Sequence, residues 1–311
     1  MARYTILTEH EIADVLRQYG WQDAHVEVLA GGAANSSYTV RTSTGHYVIT
    51  ILDNHDQASA QRLAALLRHL AMFELPTSRL VRTLGDADLA VLGTLSVLAK
   101  EYIPGSSPAS LPDSGYVAAG KLLARAHQVP APDWLAARDR RLPAEARSKL
   151  TEFDDRAFAA WVALQLDDTE RYLRFDGPRG LVHGDFFADN LITSPDNTLH
   201  VIDWETAAVD LFCIDIGMAL VGLCGHQGTF LPQRAAAFLT GYAAIRRPDP
   251  AEFEALPAAG VYAATMIAYF RYVRHHLARP DPTKQYLHRE MIDLVHSMRA
   301  TGMSSRSILN P

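Results

Sequence analysis

The sequence predicts an α+β chain in two parts: a small N-terminal lobe built on an antiparallel sheet and a larger, mainly helical C-terminal lobe. Three observations carry this reading. The first hundred residues fall into short strand-like runs around a hairpin turn, with one amphipathic helix inserted. Ile103-Pro104-Gly105-Ser106-Ser107-Pro108 then breaks the pattern as a linker. Beyond it, apolar residues recur mostly at helical spacing. The expected division is residues 1–102 and 103–311, and 311 residues give ample core for two such domains.

The elements follow in order. Thr8-Glu9-His10-Glu11 is a capping box, opening a helix that runs to about Tyr19 and stops at Gly20. His25 to Leu29 alternates as a strand. The small-residue turn Gly31-Gly32-Ala33-Ala34-Asn35-Ser36-Ser37 leads into a strand from Tyr38 to Arg41, and Ser43-Thr44-Gly45 closes a hairpin onto His46 to Leu52. Leu63, Leu66, Leu67 and Leu70 fall on one face of a helix from about Gln57 to Phe73. Strands are expected at Leu80 to Arg82, Ala90 to Leu92 and Leu95 to Tyr102. Helices follow at Tyr116 to His127 and Phe153 to Tyr172. After a small β-insert they resume near Phe212, Gln233, Glu252, Val261 and Lys284.

Composition narrows the class. Hydrophobic content of 48% with 21% charged residues is that of an ordinary globular protein. A net charge of −6 with no basic block argues against a nucleic-acid or anionic-membrane partner. The two cysteines, Cys213 and Cys224, have no CxxC or zinc-site spacing and fit buried thiols in a reducing compartment. Met1-Ala2-Arg3-Tyr4-Thr5 lacks the apolar core of a signal peptide. The longest apolar run, Ala258 to Phe270, is shorter than the roughly 20 residues a bilayer needs. The expected location is the cytoplasm.

The chemistry is concentrated in Leu181-Val182-His183-Gly184-Asp185-Phe186-Phe187-Ala188-Asp189-Asn190 and Val201-Ile202-Asp203-Trp204-Glu205. His-x-Asp-x-x-x-x-Asn is the spacing of a kinase catalytic loop, where the Asp accepts the substrate hydroxyl proton and the Asn holds Mg²⁺. Asp203 ends a short apolar strand. Two strand ends thus deliver hard oxygen ligands, and Mg²⁺ takes one or two carboxylates together with phosphate oxygens. The pattern predicts a bilobal, protein-kinase-like fold and a phosphoryl-transfer enzyme.

Further landmarks carry a resemblance. Gly32-Ala33-Ala34-Asn35-Ser36-Ser37-Tyr38, the strand His46-Tyr47-Val48-Ile49-Thr50-Ile51-Leu52, and Lys100-Glu101-Tyr102-Ile103-Pro104-Gly105 are three of them. Leu123-Ala124-Arg125-Ala126-His127 and the pair Asp210 and Asp215 are the others. With these, the chain from about Leu7 to His296 resembles the aminoglycoside phosphotransferase/choline kinase superfamily, and within it the type II homoserine kinases. The resemblance implies Mg²⁺ and ATP as cofactors. It makes Asp185 the general base and Asn190 and Asp203 the metal ligands. Lys100 and Tyr102 would present backbone groups to adenine. Gly32, Asn35, Ser36, Ser37 and Thr50 would line the phosphates, the Asn35 turn donating as nest-like loops do. His183 and Asp215 are read as structural. Glu205 is placed to touch Mg²⁺ through water, or the acceptor.

One departure stands out. Most of the superfamily has a Lys on the third strand paired to a helix Glu. Here that strand position is Thr50, as the type II homoserine kinases also suggest, and no Glu occurs between Asp53 and Met72. Arg62 and Lys100 are the candidates to replace the lost charge. Arg271, Arg274, His275 and His276 form a basic patch that reads equally as a carboxylate-binding site or a solvated helix face. The acidic run from Glu152 to Glu170 reads as exposed surface.

The expected activity is ATP-dependent phosphorylation of a hydroxyl on a small metabolite, homoserine or a related amino alcohol first. An aminoglycoside is the alternative acceptor, because Ile202-Asp203-Trp204-Glu205 also fits that type. A catalytically silent nucleotide-binding protein is the alternative class.

Overall fold

The computed structural model describes residues 5–29, 35–107, 111–137, 147–174 and 176–301. It divides into two compact units: residues up to Ser106 together with Ile192–Glu205, and Ser107–Leu191 together with Thr206 onward.

In the first unit, α1 (Glu9–Tyr19) starts at the Thr8/Glu11 capping box and ends on Gly20 at φ 71°. The strands are β1 (His25–Val28), β2 (Ser36–Arg41), β3 (His46–Ile51), β4 (Leu80–Val81), β5 (Ala90–Leu92) and β6 (Leu95–Glu101), with α2 (Gln57–Met72) between β3 and β4. They pair antiparallel in the order β1-β2-β3-β6-β4, with β5 also on β6. Side chains alternate across a sheet, so each register row selects a face. Tyr38, Val40, Ile49, Ile51, Val97 and Ala99 form the core with Val15, Tyr19 and Trp21, and Trp21 stacks between Tyr19 and Tyr47 at 4.7 and 4.3 Å. Ser37, Thr50 and Leu98 form one row of the opposite face, and Thr39, Val48 and Lys100 the next.

The second unit opens with α3 (Asp113–Gln128), α4 (Arg156–Leu173) and β7 (Arg179–Val182). The chain then supplies β8 (Leu191–Thr193) and β9 (Leu199–Val201), which pair, and whose segment belongs to the first unit. Val201 N–H donates to Pro76 O at 3.0 Å, and Trp204 Nε1 donates to Thr77 Oγ1 at 2.8 Å. These bonds tie the segment ending in Asp203 to Pro76 and Thr77 of the same unit, whereas the expected division placed it within residues 103–311.

The second unit resumes with β10 (Ala208–Leu211), antiparallel to β7, and α5 (Phe212–Cys224). The short hairpin β11 (Gly225–His226) and β12 (Thr229–Phe230), α6 (Pro232–Ala243), α7 (Pro250–Tyr272), a π-helical turn (Val273–Ala278) and α8 (Leu287–Ala300) complete it. Helices α3 and α6 approach closely because both lack side chains at the crossing. A Cβ on Gly120 would lie 1.9 Å from Phe238 O, and one on Gly241 2.1 Å from Val117 O.

Two expected helices near Glu252 and Val261 are the single α7, which runs through Pro257. It packs against α4, α5 and α8. With the π turn it is long and apolar enough to cross a membrane, but 72% of its most apolar window is buried within the protein, as in a core helix.

Cys213 and Cys224 are buried on α5. Burial raises both thiols, Cys213 to about 12. Only the thiolate reacts, and at pH 8 a thiol near 12 is ionised to about one part in ten thousand. The native protein is therefore expected to resist a water-soluble disulfide reagent at both positions, and to react fully once unfolded. Prompt modification of either thiol in the folded chain would contradict this placement.

The basic patch and the acidic run resolve into packing and surface pairs. Arg271 binds Glu290 at 2.8 Å and the Leu287 carbonyl at 3.0 Å, while His276 stacks on Tyr272 at 4.3 Å. Asp155 caps α4, Asp167 and Glu170 pair with Arg147, and Asp168 pairs with Arg299 at 2.9 Å.

Candidate active site

In the second unit, β7 leads into residues 183–190. Gly184 has φ 84°, a left-handed conformation that turns the chain sharply and favours glycine. The loop is clamped from behind by Asp215 on α5. Its buried carboxylate accepts from His183 N–H at 2.8 Å and Gly184 N–H at 2.6 Å. The same carboxylate bonds His127 Nε2 at 3.1 Å. Burial holds the His127 imidazole below its usual range, against the opposing pull of Asp215. It is therefore a neutral ring that donates from Nε2 and accepts at Nδ1 from Tyr242 Oη, 2.6 Å away. Tyr242 Oη in turn accepts from Arg246 at 3.0 Å, and Arg246 is bidentate to buried Glu252 at 3.0 and 2.9 Å. A continuous polar chain thus runs from Glu252 to the loop that carries Asp185.

Asp185 itself is half-buried. Its N–H donates to His183 Nδ1 at 3.2 Å, which fixes the His183 proton on Nε2. Asn190, eight per cent exposed, donates from Nδ2 to Asp185 O at 2.8 Å and to Asp185 Oδ2 at 3.1 Å. Both bonds use the amide nitrogen, which leaves the amide oxygen for a cation. The structure therefore brings Asp185 and Asn190 together and orients one carboxylate oxygen.

The first unit holds a second constellation. Asp203 follows β9, is exposed, and has φ 65°, a conformation uncommon outside glycine and enriched at functional sites. Glu205, in the short 3₁₀ turn Trp204–Thr206, is fixed on two sides. Asn35 Nδ2 donates to Oε1, and His55 Nε2 lies 3.4 Å from Oε2. Lys100 is half-buried on β6, on the sheet face opposite the core, and the Asp203 and Glu205 carboxylates act on its charge. Burial lowers its pKa, and the two carboxylates oppose that shift. Asn35 is seven per cent exposed, and its Oδ1 is buried with no hydrogen-bond partner. His55 escaped the sequence reading: it precedes the α2 N-cap Asp56, and no local pattern marks it.

The other sequence candidates fall as follows. Gly32 lies outside the described residues. Ser36 gives its N–H and hydroxyl to Asp53 Oδ2 at 3.0 and 2.8 Å, so both donors are committed within the protein. Ser37 Oγ and buried Thr50 Oγ1 share a hydrogen bond at 3.1 Å. Lys100 is paired with Val48 on one side and Leu80 on the other. Tyr102 N–H donates to His46 O at 3.0 Å, and its ring stacks on His46 at 3.7 Å. The N–H of Tyr102 is therefore occupied by the sheet. Arg62 is exposed on α2, where its charge acts on Asp56.

Comparison with known proteins adds an independent line. The model of the phosphotransferase enzyme family, APH, matches residues 25–250. A homoserine kinase of Methylorubrum populi is 30% identical over 268 residues, covering 83% of each chain. A homoserine kinase of Methylocella silvestris is 28% identical over 324 residues, covering 97% of this chain and 99% of its own. Among solved structures, a spectinomycin phosphotransferase in complex with ADP and spectinomycin superposes with a TM-score of 0.71 at 16% identity, covering 96% of this chain and 99% of that one. The family match spans most of the chain and includes both constellations, so the protein belongs to the phosphotransferase enzyme family and is a small-molecule kinase within it.

Proposed function

We propose that this kinase transfers the terminal phosphoryl group of ATP, with Mg²⁺, to the hydroxyl of homoserine or a closely related amino alcohol. The observation that carries the reading is the Asp185–Asn190 pair, a carboxylate held by an amide in the catalytic-loop spacing. The homoserine kinases at about 30% identity over most of the chain support the acceptor.

The donor set suits the expected cofactor. Among the described residues no group of three or more His, Cys, Asp or Glu side chains gathers into a metal cage. Mg²⁺ asks for less, since it prefers one or two carboxylates plus substrate phosphates. The Asp203 carboxylate and the Asn190 amide oxygen would hold it, and once bound it neutralises phosphate charge. Asp185 orients the acceptor hydroxyl and takes its proton as the oxygen attacks phosphorus. The bond from that phosphorus to the bridging oxygen of ADP breaks, and ADP leaves. Such a transfer asks the protein for position and charge rather than covalent chemistry. Asn35 and Ser37, next to Thr50, are the phosphate-side polar groups in this reading, and the segment around Lys100 and Tyr102 faces adenine. A reducing, ATP-rich cytoplasm is the compartment it implies.

The test is ADP release from Mg-ATP across a panel of acceptors: homoserine, simpler amino alcohols, choline and several aminoglycosides. Asp185→Asn serves as the control. Release with homoserine or an amino alcohol that vanishes in the variant is the expected result. Turnover with aminoglycosides alone would move the acceptor to the antibiotic class. Nucleotide binding without turnover on any acceptor would favour a silent binding protein.

A further inference from the structure

A kinase with this catalytic-loop spacing ordinarily neutralises its nucleotide phosphates with a Lys from the third strand of the small sheet, held by a Glu on the following helix. Both are missing from this chain. Thr50 occupies the strand, its hydroxyl bonded to Ser37, and Gln57–Met72 contains no acidic residue. A phosphate site without a nearby cation leaves several negative oxygens uncompensated in a partly buried place, which is costly. The sheet supplies a cation one strand over.

The register places it. Thr50 pairs with Leu98 across β3 and β6, and Lys100 pairs with Val48 in the next row of the same face. Diagonal neighbours on a sheet face lie roughly 7–8 Å apart at Cα, so a Lys side chain on β6 reaches the volume that one on β3 would fill. The flanking residue Ala99 points into the core on the other side of the sheet, which excludes the opposite orientation. Arg62, the other candidate, sits exposed on α2.

Lys100 also has a replacement for the absent helix Glu. The Asp203 and Glu205 carboxylates act electrostatically on its ammonium, opposing the shift that burial causes. Glu205 is immobilised by Asn35 at one oxygen and by His55 at the other. Since His55 precedes the α2 N-cap, the helix keeps a link to Glu205 through an imidazole instead of a carboxylate of its own. The turn bearing Glu205 is anchored by the bond from Trp204 Nε1 to Thr77 Oγ1. Asn35 Oδ1, buried without a partner beside this pair, marks a polar site with capacity left for a ligand or its water.

We propose that Lys100 is the phosphate-binding cation of this kinase, moved from the third strand to β6, and that Glu205, from the segment after β9, is its counter-ion in place of a helix Glu. The assignment rests on the kinase reading and reassigns Lys100 from a backbone contact with adenine to a side-chain contact with phosphate. Glu205 thereby becomes a positioning residue rather than a metal ligand.

Nucleotide binding by titration calorimetry on the full chain tests this without requiring turnover. The probes are Mg-ATP, AMP and adenosine, and the variants are Lys100→Met, Lys100→Arg and Glu205→Gln. Charge-assisted hydrogen bonds are worth about 1.5–3 kcal/mol, so Lys100→Met is expected to weaken Mg-ATP by at least about tenfold. Adenosine should stay within about twofold, because it carries no phosphate. Lys100→Arg should recover most of the loss, and Glu205→Gln should show a smaller loss of the same selectivity.

Unchanged ATP affinity in Lys100→Met overturns the assignment, and so does an equal loss for ATP and adenosine, which would mean that the residue acts through the adenine side. Should Lys100→Met fail to fold, Glu205→Gln decides: a loss confined to phosphorylated ligands supports the pair, and none overturns it. A wild-type protein that binds neither ATP nor adenosine overturns the kinase reading itself. That outcome is distinct from wild-type binding left intact by the variants.

Discussion

Asp185→Ala is expected to lower kcat by about 10²–10⁴-fold, the usual effect of losing a general base, with little change in folding. The structure separates the two effects. Asn190 keeps its 2.8 Å bond to the Asp185 carbonyl when the side chain is removed, and the Asp215 clamp on His183 and Gly184 does not involve that side chain. The 3.1 Å bond to Oδ2 is lost, and it lies in a half-buried position where water can replace it. The loop should hold its shape, and the melting temperature should move by no more than about 2–4 °C, the shift of about 1 kcal/mol in a chain this large. The KM for ATP should change little, because the carboxylate addresses the acceptor. Steady-state kinetics at saturating acceptor, paired with a thermal melt, check both parts. A variant within tenfold of wild-type turnover, with its fold intact, would remove Asp185 from the chemistry.

The local features of this molecule were legible in the sequence, and the long-range ones were not. Thr8 with Glu11 and then Gly20 bound the first helix because capping is a matter of neighbouring residues. The β2–β3 hairpin followed from alternation and a three-residue turn for the same reason. The kinase class followed from the spacing of His183, Asp185 and Asn190 and the family from the resemblance carried by the further landmarks, and the family match and the homoserine kinase relatives bear both out.

By contrast, nothing near Ile192 to Glu205 announces that this stretch belongs to the N-terminal unit. That depends on Thr77, more than a hundred residues earlier, meeting Val201 and Trp204. Two helices are expected near Glu252 and Val261, yet the surrounding apolar residues bury one continuous helix that runs through Pro257, so packing outweighs the lost hydrogen bond. Lys100 shows the limit most clearly. The hinge pattern drew attention to its backbone, whereas which way its side chain points is set by strand register, visible only once β3 and β6 are paired. His55 has no signal at all outside the fold, since its interest lies wholly in its distance from Glu205.

Asp215→Ala is expected to cost far more stability than Asp185→Ala, because the Asp215 carboxylate serves three buried partners at once. Removing it strands His183 N–H, Gly184 N–H and His127 Nε2–H in a site closed to solvent. Each unsatisfied buried donor costs about 1–3 kcal/mol. Relaxation and an admitted water would recover part of this, so the net loss should be about 3–5 kcal/mol, as for a broken buried pair. That is a large share of a typical domain's roughly 5–15 kcal/mol.

Asp215→Asn is the informative companion. With its amide oxygen at the Oδ2 position it keeps both His183 N–H and His127 Nε2–H, but its NH₂ then meets the Gly184 N–H, donor against donor. The reverse orientation is worse, since the NH₂ would face both His183 N–H and His127, whose Nδ1 already accepts from Tyr242. The conflict therefore falls on the Gly184 turn of the loop that carries Asp185. Urea titrations should rank wild type above Asp215→Asn above Asp215→Ala. Turnover should fall in both variants, because the backbone that aims Asp185 is no longer pinned. If Asp215→Asn matches wild type in stability and rate, hydrogen-bond sign at this carboxylate does not govern the loop, and the clamp must reside in the packing around Phe186 and Phe212 instead.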